Sequence, residues 1–385
     1  MPREQGAPIP WEKLGELGLA SLFSRMENTP QNPLYHSEGN VFVHTKLVCE
    51  ALVGFAEFGL LTEQEQNILF LSAVLHDIGK TVCTIERDGE ITSPYHTVKG
   101  GILARRLLWQ TFDLAGTKEK QQQREAICLL VKYHSFPTFA PVEKDWKRKM
   151  LKIAAAGELA PGFSLKLLYL LSKADVAGRK SIDKDDYEER VECFKMMAED
   201  LGCFEKPHAF ADTFSKRAYF RRQTDWQESQ LFDDTWGEVT MLCGLPGSGK
   251  DTYIQKYMPK QEMISLDGIR AALRISPTED QGRVISAFQK MARERLRQKQ
   301  PFIYNATNLS RDIRQKQIDL FEKYGAAVRI IYLETSFEEE LLRNKGREAQ
   351  VPESAIERMF DKLEMPEVWE AQTVVWEISE KDKRK

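Results

Sequence analysis

The sequence reads Gly244-Leu245-Pro246-Gly247-Ser248-Gly249-Lys250-Asp251-Thr252 in its second half. An apolar run of strand composition, Glu238–Cys243, precedes these residues, and a helical run, Tyr253–Met258, follows them. This order predicts a phosphate-binding loop, because the N–H groups of the turn and the helix N-terminus face one anion. We expect it to bind ATP or another NTP with Mg2+ through Gly244, Gly247, Ser248, Gly249, Lys250, Asp251 and Thr252.

Asp251 departs from the usual form of such a loop. The residue after the lysine is ordinarily a serine or threonine that binds the magnesium ion. Thr252 can still bond a phosphate oxygen, whereas Asp251 either holds the metal, directly or through water, or holds another group. The alternative interpretation of the whole stretch is a glycine turn that binds no nucleotide.

The composition is that of an ordinary soluble globular protein. The chain has 385 residues, 42% hydrophobic and 29% charged, which favours more than one domain. No apolar run approaches the roughly 18 residues of a membrane span, and the first residues lack the order of a signal peptide. The six scattered cysteines argue against a disulfide framework. We therefore expect a cytoplasmic protein with no membrane partner.

The first half of the chain predicts an all-α fold. Apolar residues recur with helical spacing in the segments 40–58, 63–75, 96–108, 124–133 and 165–176, and strand signals there are weak. Five of the six histidines lie between His36 and His134. Asp175 lies among apolar residues of the last segment, where a carboxylate is costly unless a positive group pairs with it. A metal ion would be such a group.

The spacing of these residues resembles the HD phosphohydrolase superfamily. The resemblance rests on His44, the doublet His76-Asp77 with Gly79-Lys80 after it, and Asp175. It implies a metal site formed by His44, His76, Asp77 and Asp175. Members with two metals have two further histidines, which implies a second site at His96 and His134, with Asp77 bridging both ions.

The implied ions are two divalent transition metals, namely manganese, nickel, cobalt or iron, because imidazole and carboxylate ligands suit these better than magnesium. Lys80 and Ser135 are predicted to hold the phosphate of the substrate, unless they are ordinary polar residues at helix ends. His36 lies outside the pattern, and we expect it to be structural or at the rim of the site.

The second half predicts an α/β fold with a parallel sheet. Strands at 238–243, 263–266, 301–304, 328–333 and 373–378 alternate with helices, one of them long and ending near residue 298. Residues 203–236 lose helical periodicity, and the basic, aromatic tract Lys216–Arg222 favours a packed linker over a clamp for single-stranded nucleic acid. We predict an all-α domain at 1–205, a linker at 206–236 and the α/β domain at 237–385.

Four charged residues of the second half have spacings that suit phosphoryl transfer. Asp267 follows a strand, where a carboxylate can take the proton of an attacking hydroxyl group. Arg270 is one helical turn further on and could grip an anion of the acceptor. Arg343 and Arg347 are predicted on one helical face as a lid over the transferring phosphate. The alternatives are a helix N-cap for Asp267 and a solvated helix face for the two later arginines.

These features resemble the kinase domain of phage-type polynucleotide kinase-phosphatases, and the whole chain resembles bacterial two-domain HD-domain polynucleotide kinases. The resemblance implies a nucleic-acid end-healing enzyme that phosphorylates 5′-hydroxyl ends and hydrolyses 2′,3′-cyclic or terminal 2′/3′-phosphates. It implies that Asp267 is the general base, that Arg270 binds the acceptor and that Arg343 and Arg347 clamp the donor. Asn305 stands where the family commonly has a carboxylate.

The partners expected from this resemblance are RNA or DNA ends and a separate polynucleotide ligase. Two alternatives remain at the level of sequence. One is a metabolite or nucleotide kinase fused to an HD nucleotidase. The other is a non-catalytic, nucleotide-gated scaffold that binds nucleic acid, for which Asp251 is the main argument.

Overall fold

The computed structural model describes residues 8–276, 279–347 and 350–379. Contacts within the chain divide it into two compact units. The N-terminal unit comprises the residues up to Leu114 together with Glu119–His208, and the C-terminal unit comprises Ala115–Lys118 together with the residues from Ala209 onward. Among the described residues, no helix has both the length and the apolar character that a membrane crossing requires.

The N-terminal unit is mainly helical, as predicted. Its helices are α1 (Trp11–Leu14), α2 (Ala20–Glu27), α3 (Val41–Gly54), α4 (Ala56–Gly59), α5 (Glu63–Leu75), α6 (Lys80–Cys83), α7 (His96–Arg106), α8 (Lys118–Tyr133), α9 (Phe136–Phe139), α10 (Trp146–Ala155), α11 (Leu165–Gly178) and α12 (Lys184–Asp200). The bounds of α5 agree with the prediction because Thr62 and Glu65 form a capping box at its start.

The expectation of an all-α fold is wrong in one place. Strands β1 (Ile85–Arg87) and β2 (Glu90–Thr92) form an antiparallel hairpin. Its two-residue turn is Asp88-Gly89, and both residues have positive φ, 52° and 80°, as a type I′ turn requires. The sequence gives little sign of this hairpin, because the flanking strands are too short and too exposed to show an alternating apolar pattern.

Close backbone contacts hold the helices of the N-terminal unit together where the candidate ligands lie. Helices α3, α5 and α11 pack against one another, and a Cβ atom at Gly178 would lie 2.8 Å from the backbone nitrogen of Val48. A Cβ atom at Gly79 would lie only 1.9 Å from the carbonyl oxygen of His96. Glycine at these two positions therefore lets α11 approach α3, and lets the turn after the His76-Asp77 doublet approach α7.

We expect Gly79→Ala to lower the free energy of unfolding of the N-terminal unit by about 1–3 kcal/mol or more, because the clash is with backbone rather than with a movable side chain. Hydrogen exchange of the amides in α5 and α7 measures this loss. Gly54→Ala is the matched control, since a Cβ atom there meets nothing within 4 Å. Equal protection in the two variants would contradict the prediction.

The C-terminal unit has the predicted α/β architecture. Its strands are β3 (Glu238–Cys243), β4 (Met263–Ser265), β5 (Ile303–Asn305), β6 (Ala327–Glu334) and β7 (Thr373–Ile378). Its helices are α13 (Thr213–Phe220), α14 (Lys250–Tyr257), α15 (Leu266–Leu273), α16 (Gly282–Arg297), α17 (Arg311–Lys323), α18 (Phe337–Lys345) and α19 (Glu353–Asp361). In the described part of this unit, the strands pair in parallel in the order β4-β5-β3-β6-β7.

Helices cover both faces of this sheet. Leu242, Ile303 and Ile331 form a buried cluster with Ile254 of α14. Tyr304 points to the opposite face, because successive residues of a strand alternate, and its ring stacks on Phe288 of α16 at 4.2 Å between centroids. The sheet therefore places the ends of β3, β4 and β5 at one carboxyl edge, where ligands bind in such folds.

Two predicted elements of this half are wrong. The long helix after Arg270 is two helices, α15 and α16, because Arg274 takes a left-handed conformation with φ 54° at the end of α15. The segment 203–236 is not without helix, since it contains α13. Arg217 of α13 is buried and bonds Glu322 at 3.0 Å and the carbonyl oxygen of Trp369 at 2.6 Å. The basic tract therefore packs on the C-terminal unit through this residue, which supports the interpretation as a packed segment.

Candidate metal centre and phosphate-binding site

Asp77 lies at the centre of the histidine cluster. Its Oδ2 atom is 3.3 Å from Nε2 of His76 and 3.8 Å from Nε2 of His44. Its Oδ1 atom is 3.6 Å from Nε2 of His96 and 3.8 Å from Nε2 of His134. One carboxylate thus presents a separate oxygen to each of two imidazole pairs, and these two groups have the residue types and the spacing of metal ligands.

The backbone fixes the orientation of three of these rings. Because a carbonyl oxygen only accepts a hydrogen bond, a ring nitrogen that bonds one carries the proton, and the other nitrogen presents its lone pair. Nδ1 donates to the carbonyl oxygen of the residue three positions earlier, over 2.8 or 2.9 Å, in the pairs His76–Ala73, His96–Ser93 and His134–Val131. All three Nε2 atoms are therefore free to bind a cation.

The fourth ring, His44, is oriented by a carboxylate. Its Nδ1 lies 2.9 Å from Oε1 of Glu38, and the same oxygen is 2.7 Å from Nδ1 of His36. Glu38 is also anchored through Oε2, which accepts the backbone N–H of Lys180 at 3.0 Å. His36 thus contacts the cluster through Glu38. We expected His36 to be structural or at the rim of the site. Sequence reasoning missed Glu38, although its position two residues after His36 could have indicated a contact with the histidine cluster.

Asp175 has a positive partner within the protein. Arg179, one helical turn further on, donates to its Oδ2 at 2.6 Å and to its Oδ1 at 3.1 Å. The Oδ1 atom also lies 3.0 Å from Nε2 of His44. The buried carboxylate is therefore not evidence for a metal by itself, although it does lie beside the cluster as predicted. Sequence reasoning missed Arg179, which the i, i+4 spacing could have revealed.

Neighbouring positive groups favour the ionised form of two carboxyl groups of the cluster, Asp77 and Asp175. Burial opposes ionisation of Asp77, but Lys80 and His76 hold its pKa well below the ordinary value. Burial likewise opposes ionisation of Asp175, and Arg179 keeps its pKa well below the ordinary value. Burial and the neighbouring His76 lower the pKa of His134 to about 3, so this ring is neutral and suited to bind a metal.

One buried atom marks the place where a cation fits. Nε2 of His76 is buried and has no hydrogen-bond partner in the part of the chain that the structure describes. Leaving a buried polar atom without a partner is costly. The pKa of His76 is raised because Asp77 and Asp175 outweigh the effect of burial, which acts to lower it. The donor set thus favours a positive charge at this point, and a transition metal fits it.

Of the two residues predicted to hold phosphate, Lys80 contacts the cluster, and Ser135 adjoins it in sequence. Nζ of Lys80 is 2.8 Å from Oδ2 of Asp77 and donates to Oε1 of Gln31 at 2.7 Å. Ser135 directly follows His134 and precedes α9 without capping it through its side chain. The ammonium group of Lys80 therefore lies against the carboxylate at the centre of the cluster.

The glycine-rich loop connects the end of β3 to the start of α14. Gly244, Gly247 and Gly249 all have positive φ, at 143°, 88° and 88°, which residues with a Cβ atom rarely adopt. Nζ of Lys250 donates to the carbonyl oxygens of Gly244 at 3.0 Å and Leu245 at 2.8 Å. Burial lowers the pKa of Lys250 to about 8. The loop is thus folded around the ammonium group of its own lysine.

Asp267 and its neighbours gather at the same edge of the sheet. Arg270 donates to Oδ1 of Asp267 at 2.6 Å, and Nη2 of Arg347 lies 3.7 Å from its Oδ2. The N-cap of α15 is Ser265, whose hydroxyl accepts the N–H of Gly268 at 3.3 Å. The alternative interpretation of Asp267 as an N-cap is therefore wrong, and its carboxylate is available for another role.

The two lid arginines are not on one helical face, which corrects the prediction. Helix α18 ends at Lys345, so Arg343 is helical and Arg347 lies beyond the end. Arg343 bonds Glu339 at 2.8 Å and Ser379 at 2.7 Å, and its Nη1 atom comes within 3.1 Å of the Cβ position of Gly249. Arg343 thus borders the phosphate-binding loop, and Arg347 borders Asp267.

Comparisons with known proteins bear on the C-terminal unit. Residues 239–366 match the family model described as an AAA domain. A bifunctional polynucleotide phosphatase/kinase of Schizosaccharomyces pombe is 25% identical over 235 residues, covering 56% of this chain and 52% of the relative. A multifunctional CCA protein of Pasteurella multocida is 28% identical over 185 residues, covering 47% of this chain and 41% of the relative.

The chain spans about half the length of these curated relatives. A gluconokinase structure from Sinorhizobium meliloti 1021 aligns with a TM-score of 0.28 at 20% identity, over 37% of this chain and 83% of that chain. The residues matched by the family model contain the glycine-rich loop, Asp267 and both lid arginines. The C-terminal unit is therefore an α/β domain with a glycine-rich loop that is similar to the AAA-domain family over residues 239–366, and it follows a helical N-terminal unit.

Proposed function

We propose that this protein is a bifunctional nucleic-acid end-healing enzyme. One activity is ATP-dependent phosphorylation of 5′-hydroxyl polynucleotide ends, and the other is metal-dependent hydrolysis of 2′,3′-cyclic phosphates or terminal 2′/3′-phosphates. The observation that carries the proposal is Asp77, which offers one carboxylate oxygen to each of two imidazole pairs in a chain whose residues 239–366 also match an AAA domain with a glycine-rich loop. The relative named as a polynucleotide phosphatase/kinase supports the same pairing of activities.

The phosphoesterase site would hold two divalent transition metals. His44, His76, Asp77 and Asp175 would bind the first ion, and Asp77, His96 and His134 the second. Two such ions supply a hydroxide nucleophile at neutral pH and neutralise charge on the phosphate. Lys80 would then exchange its contact with Asp77 for one with the phosphate, and Ser135 would hold another phosphate oxygen. Glu38 and Arg179 would orient His44 and Asp175 from behind.

The kinase site would bind the donor nucleotide on the loop Gly244–Thr252. Lys250 would leave the loop carbonyl oxygens for the β- and γ-phosphates, and Arg343 and Arg347 would neutralise charge that develops on the transferring group. Asp267 would accept the proton of the 5′-hydroxyl group. Arg270 would leave Asp267 to bind the phosphate on the 3′ side of the acceptor nucleotide, which frees the carboxylate as the acceptor docks.

The two proposed reactions would repair the two ends that one cleavage of RNA leaves. Cleavage of RNA by attack of its own 2′-hydroxyl group leaves a cyclic phosphate on one side and a 5′-hydroxyl group on the other. Both ends must change before they can be joined. A kinase and a phosphoesterase in one chain cover both changes, and sealing would fall to a separate polynucleotide ligase. RNA ends, and secondarily DNA ends, are therefore the proposed partners.

Nucleotide binding is expected to weaken as the pH rises through about 8, where burial places the pKa of Lys250 in the free protein. Bound phosphate stabilises the ammonium form and raises the pKa again, so affinity falls about tenfold per pH unit above that point. Calorimetry at pH 8 in buffers of different ionisation enthalpy measures the expected uptake of about half a proton. Lys250→Met is the control, because methionine has no ammonium group that could take up this proton. An affinity that stays constant to about pH 9.5 would contradict the lowered pKa.

The proposed function is tested on one RNA oligonucleotide that carries a 5′-hydroxyl group and a 2′,3′-cyclic phosphate. It is incubated with ATP and magnesium, and separately with manganese or nickel, and both ends are mapped. We expect the 5′ end to gain a phosphate and the cyclic phosphate to open or disappear. If neither end changes, while nucleosides or sugars are phosphorylated, the protein is a metabolite kinase instead. Binding of ATP and RNA without turnover would identify a scaffold.

A further inference from the structure

Two unusual residues of the C-terminal unit bond to each other. Asp251 replaces the hydroxyl residue that ordinarily follows the loop lysine, and Asn305 is an amide at the carboxyl end of β5. Nδ2 of Asn305 donates to Oδ1 of Asp251 at 2.7 Å. Asn305 is in register with Leu242 of β3 on one side and with Ser265 of β4 on the other. It therefore lies between the phosphate-binding loop and the strand that leads to Asp267.

A carboxylate at this place is unfavourable for binding polyphosphate on its own. Asp251 lies in the first turn of α14, directly after Lys250. Two like charges at close range repel each other, unless a cation lies between them. The bond from Asn305 uses Oδ1 of Asp251 and does not involve its Oδ2 atom. One carboxylate oxygen of Asp251 is thus held in place by the amide at the end of β5.

Helix capping does not account for Asp251. Gly249 is the N-cap of α14, and no side chain caps this helix end. The side chain of Asp251 is exposed, yet its hydrogen bond with Asn305 reaches across to β5 instead of to the helix N-terminus. The contact therefore links two segments that both border the nucleotide site.

We infer that Asp251, positioned by Asn305, is the carboxylate through which this kinase-like site holds the magnesium ion of its nucleotide. The inference rests on the proposed kinase function. It assigns the negative charge to the loop and the neutral amide to the strand end, which reverses the more common arrangement of a loop hydroxyl group and a strand carboxylate. Asp251, Thr252 and the amide oxygen of Asn305 supply oxygen donors, which magnesium prefers.

Moving the negative charge from position 251 to position 305 tests whether Asp251 holds the magnesium ion. The variants are Asp251→Ser, Asn305→Asp and the double exchange Asp251→Ser/Asn305→Asp. The readout is ADP affinity by calorimetry with and without magnesium, supported by electron paramagnetic resonance of Mn2+ in the ternary complex. The quantity compared is the factor by which the metal strengthens ADP binding. Asp312→Ser is the matched control, because Asp312 also lies in the first turn of a helix, α17.

We expect Asp251→Ser to reduce the metal factor about tenfold or more, because a single charged oxygen ligand is lost. Asn305→Asp places two carboxylates at hydrogen-bonding distance, so its metal factor also changes and becomes dependent on pH. The double exchange restores one carboxylate and recovers most of the metal factor, while Asp312→Ser leaves it unchanged. Non-additive rescue of this kind shows direct coupling of the two side chains.

Either of two results would overturn the inference. One is a metal factor in Asp251→Ser that equals that of the unmodified protein. The other is a double exchange that is no better than the worse of the two single variants. Because the titration uses ADP without an acceptor, failure of the polynucleotide assignment is seen separately: the metal factor then follows the pattern above, while the 5′ end of the RNA stays unphosphorylated.

Discussion

Asp77→Asn is expected to reduce phosphoesterase activity by about a thousandfold or more and to leave the kinase rate unchanged. The substitution keeps the volume of the side chain but removes the charge that faces both imidazole pairs. Metal ions contribute several kcal/mol to the stabilisation of a phosphoryl transition state, and each 1.36 kcal/mol is about a factor of ten in rate. Release of the cyclic phosphate, measured with manganese or nickel, gives the loss directly.

The metal content of the purified variant distinguishes a metal-binding role of Asp77 from a purely structural role. We expect purified Asp77→Asn to retain far less transition metal than the unmodified protein, with equal hydrogen-exchange protection of α3 and α11. Asp88→Asn is the matched control, because Asp88 lies exposed in the hairpin turn and asparagine tolerates its positive φ of 52°. Full phosphoesterase activity in Asp77→Asn would contradict the bridging role.

The sequence predicted the metal-binding candidates of the N-terminal unit better than the residues around them. His44, His76 and Asp77 are recognisable by type and spacing, and the structure brings them together. Arg179 was missed although its i, i+4 spacing from Asp175 could have revealed it, whereas the contact of Glu38 with His44 depends on how the segment before α3 folds. The approach of Asp175 to His44 depends in turn on the packing of α3 against α11. Gly178 makes that packing possible, and a single glycine at a helix end carries no such signal by itself.

In the C-terminal unit, the buried strands were the easiest elements to predict. The predicted bounds of β3 and β7 agree with the structure because both segments are rich in apolar and β-branched residues, although β7 is an edge strand and only partly buried. The break between α15 and α16 was missed, because Arg274 has a left-handed backbone conformation there and arginine is not a residue type that indicates a helix end. The bond between Asp251 and Asn305 was also invisible, because it joins residues 54 positions apart in the sequence.

Asp267→Asn is expected to lower the turnover number of the kinase about 10²- to 10⁴-fold, which is the usual contribution of a general base, with little change in nucleotide affinity. The carboxylate lies between Arg270 and Arg347, at 2.6 and 3.7 Å. Asparagine keeps one oxygen for these arginines, so the expected loss is in chemistry and not in their positioning. Transfer of labelled phosphate from ATP to a 5′-hydroxyl oligonucleotide measures it.

The competing role for Asp267 is to anchor the two arginines. An anchoring role predicts a higher KM for the oligonucleotide or for ATP in Asp267→Asn, with a nearly unchanged turnover number. Asp280→Asn, in the segment before α16, is the matched control for loss of an exposed carboxylate. Phosphoesterase activity should be unaffected in both variants, because Asp267 and Asp77 belong to separately packed units. A loss of both activities in Asp267→Asn would show that the two sites are coupled, and neither role of Asp267 would then suffice.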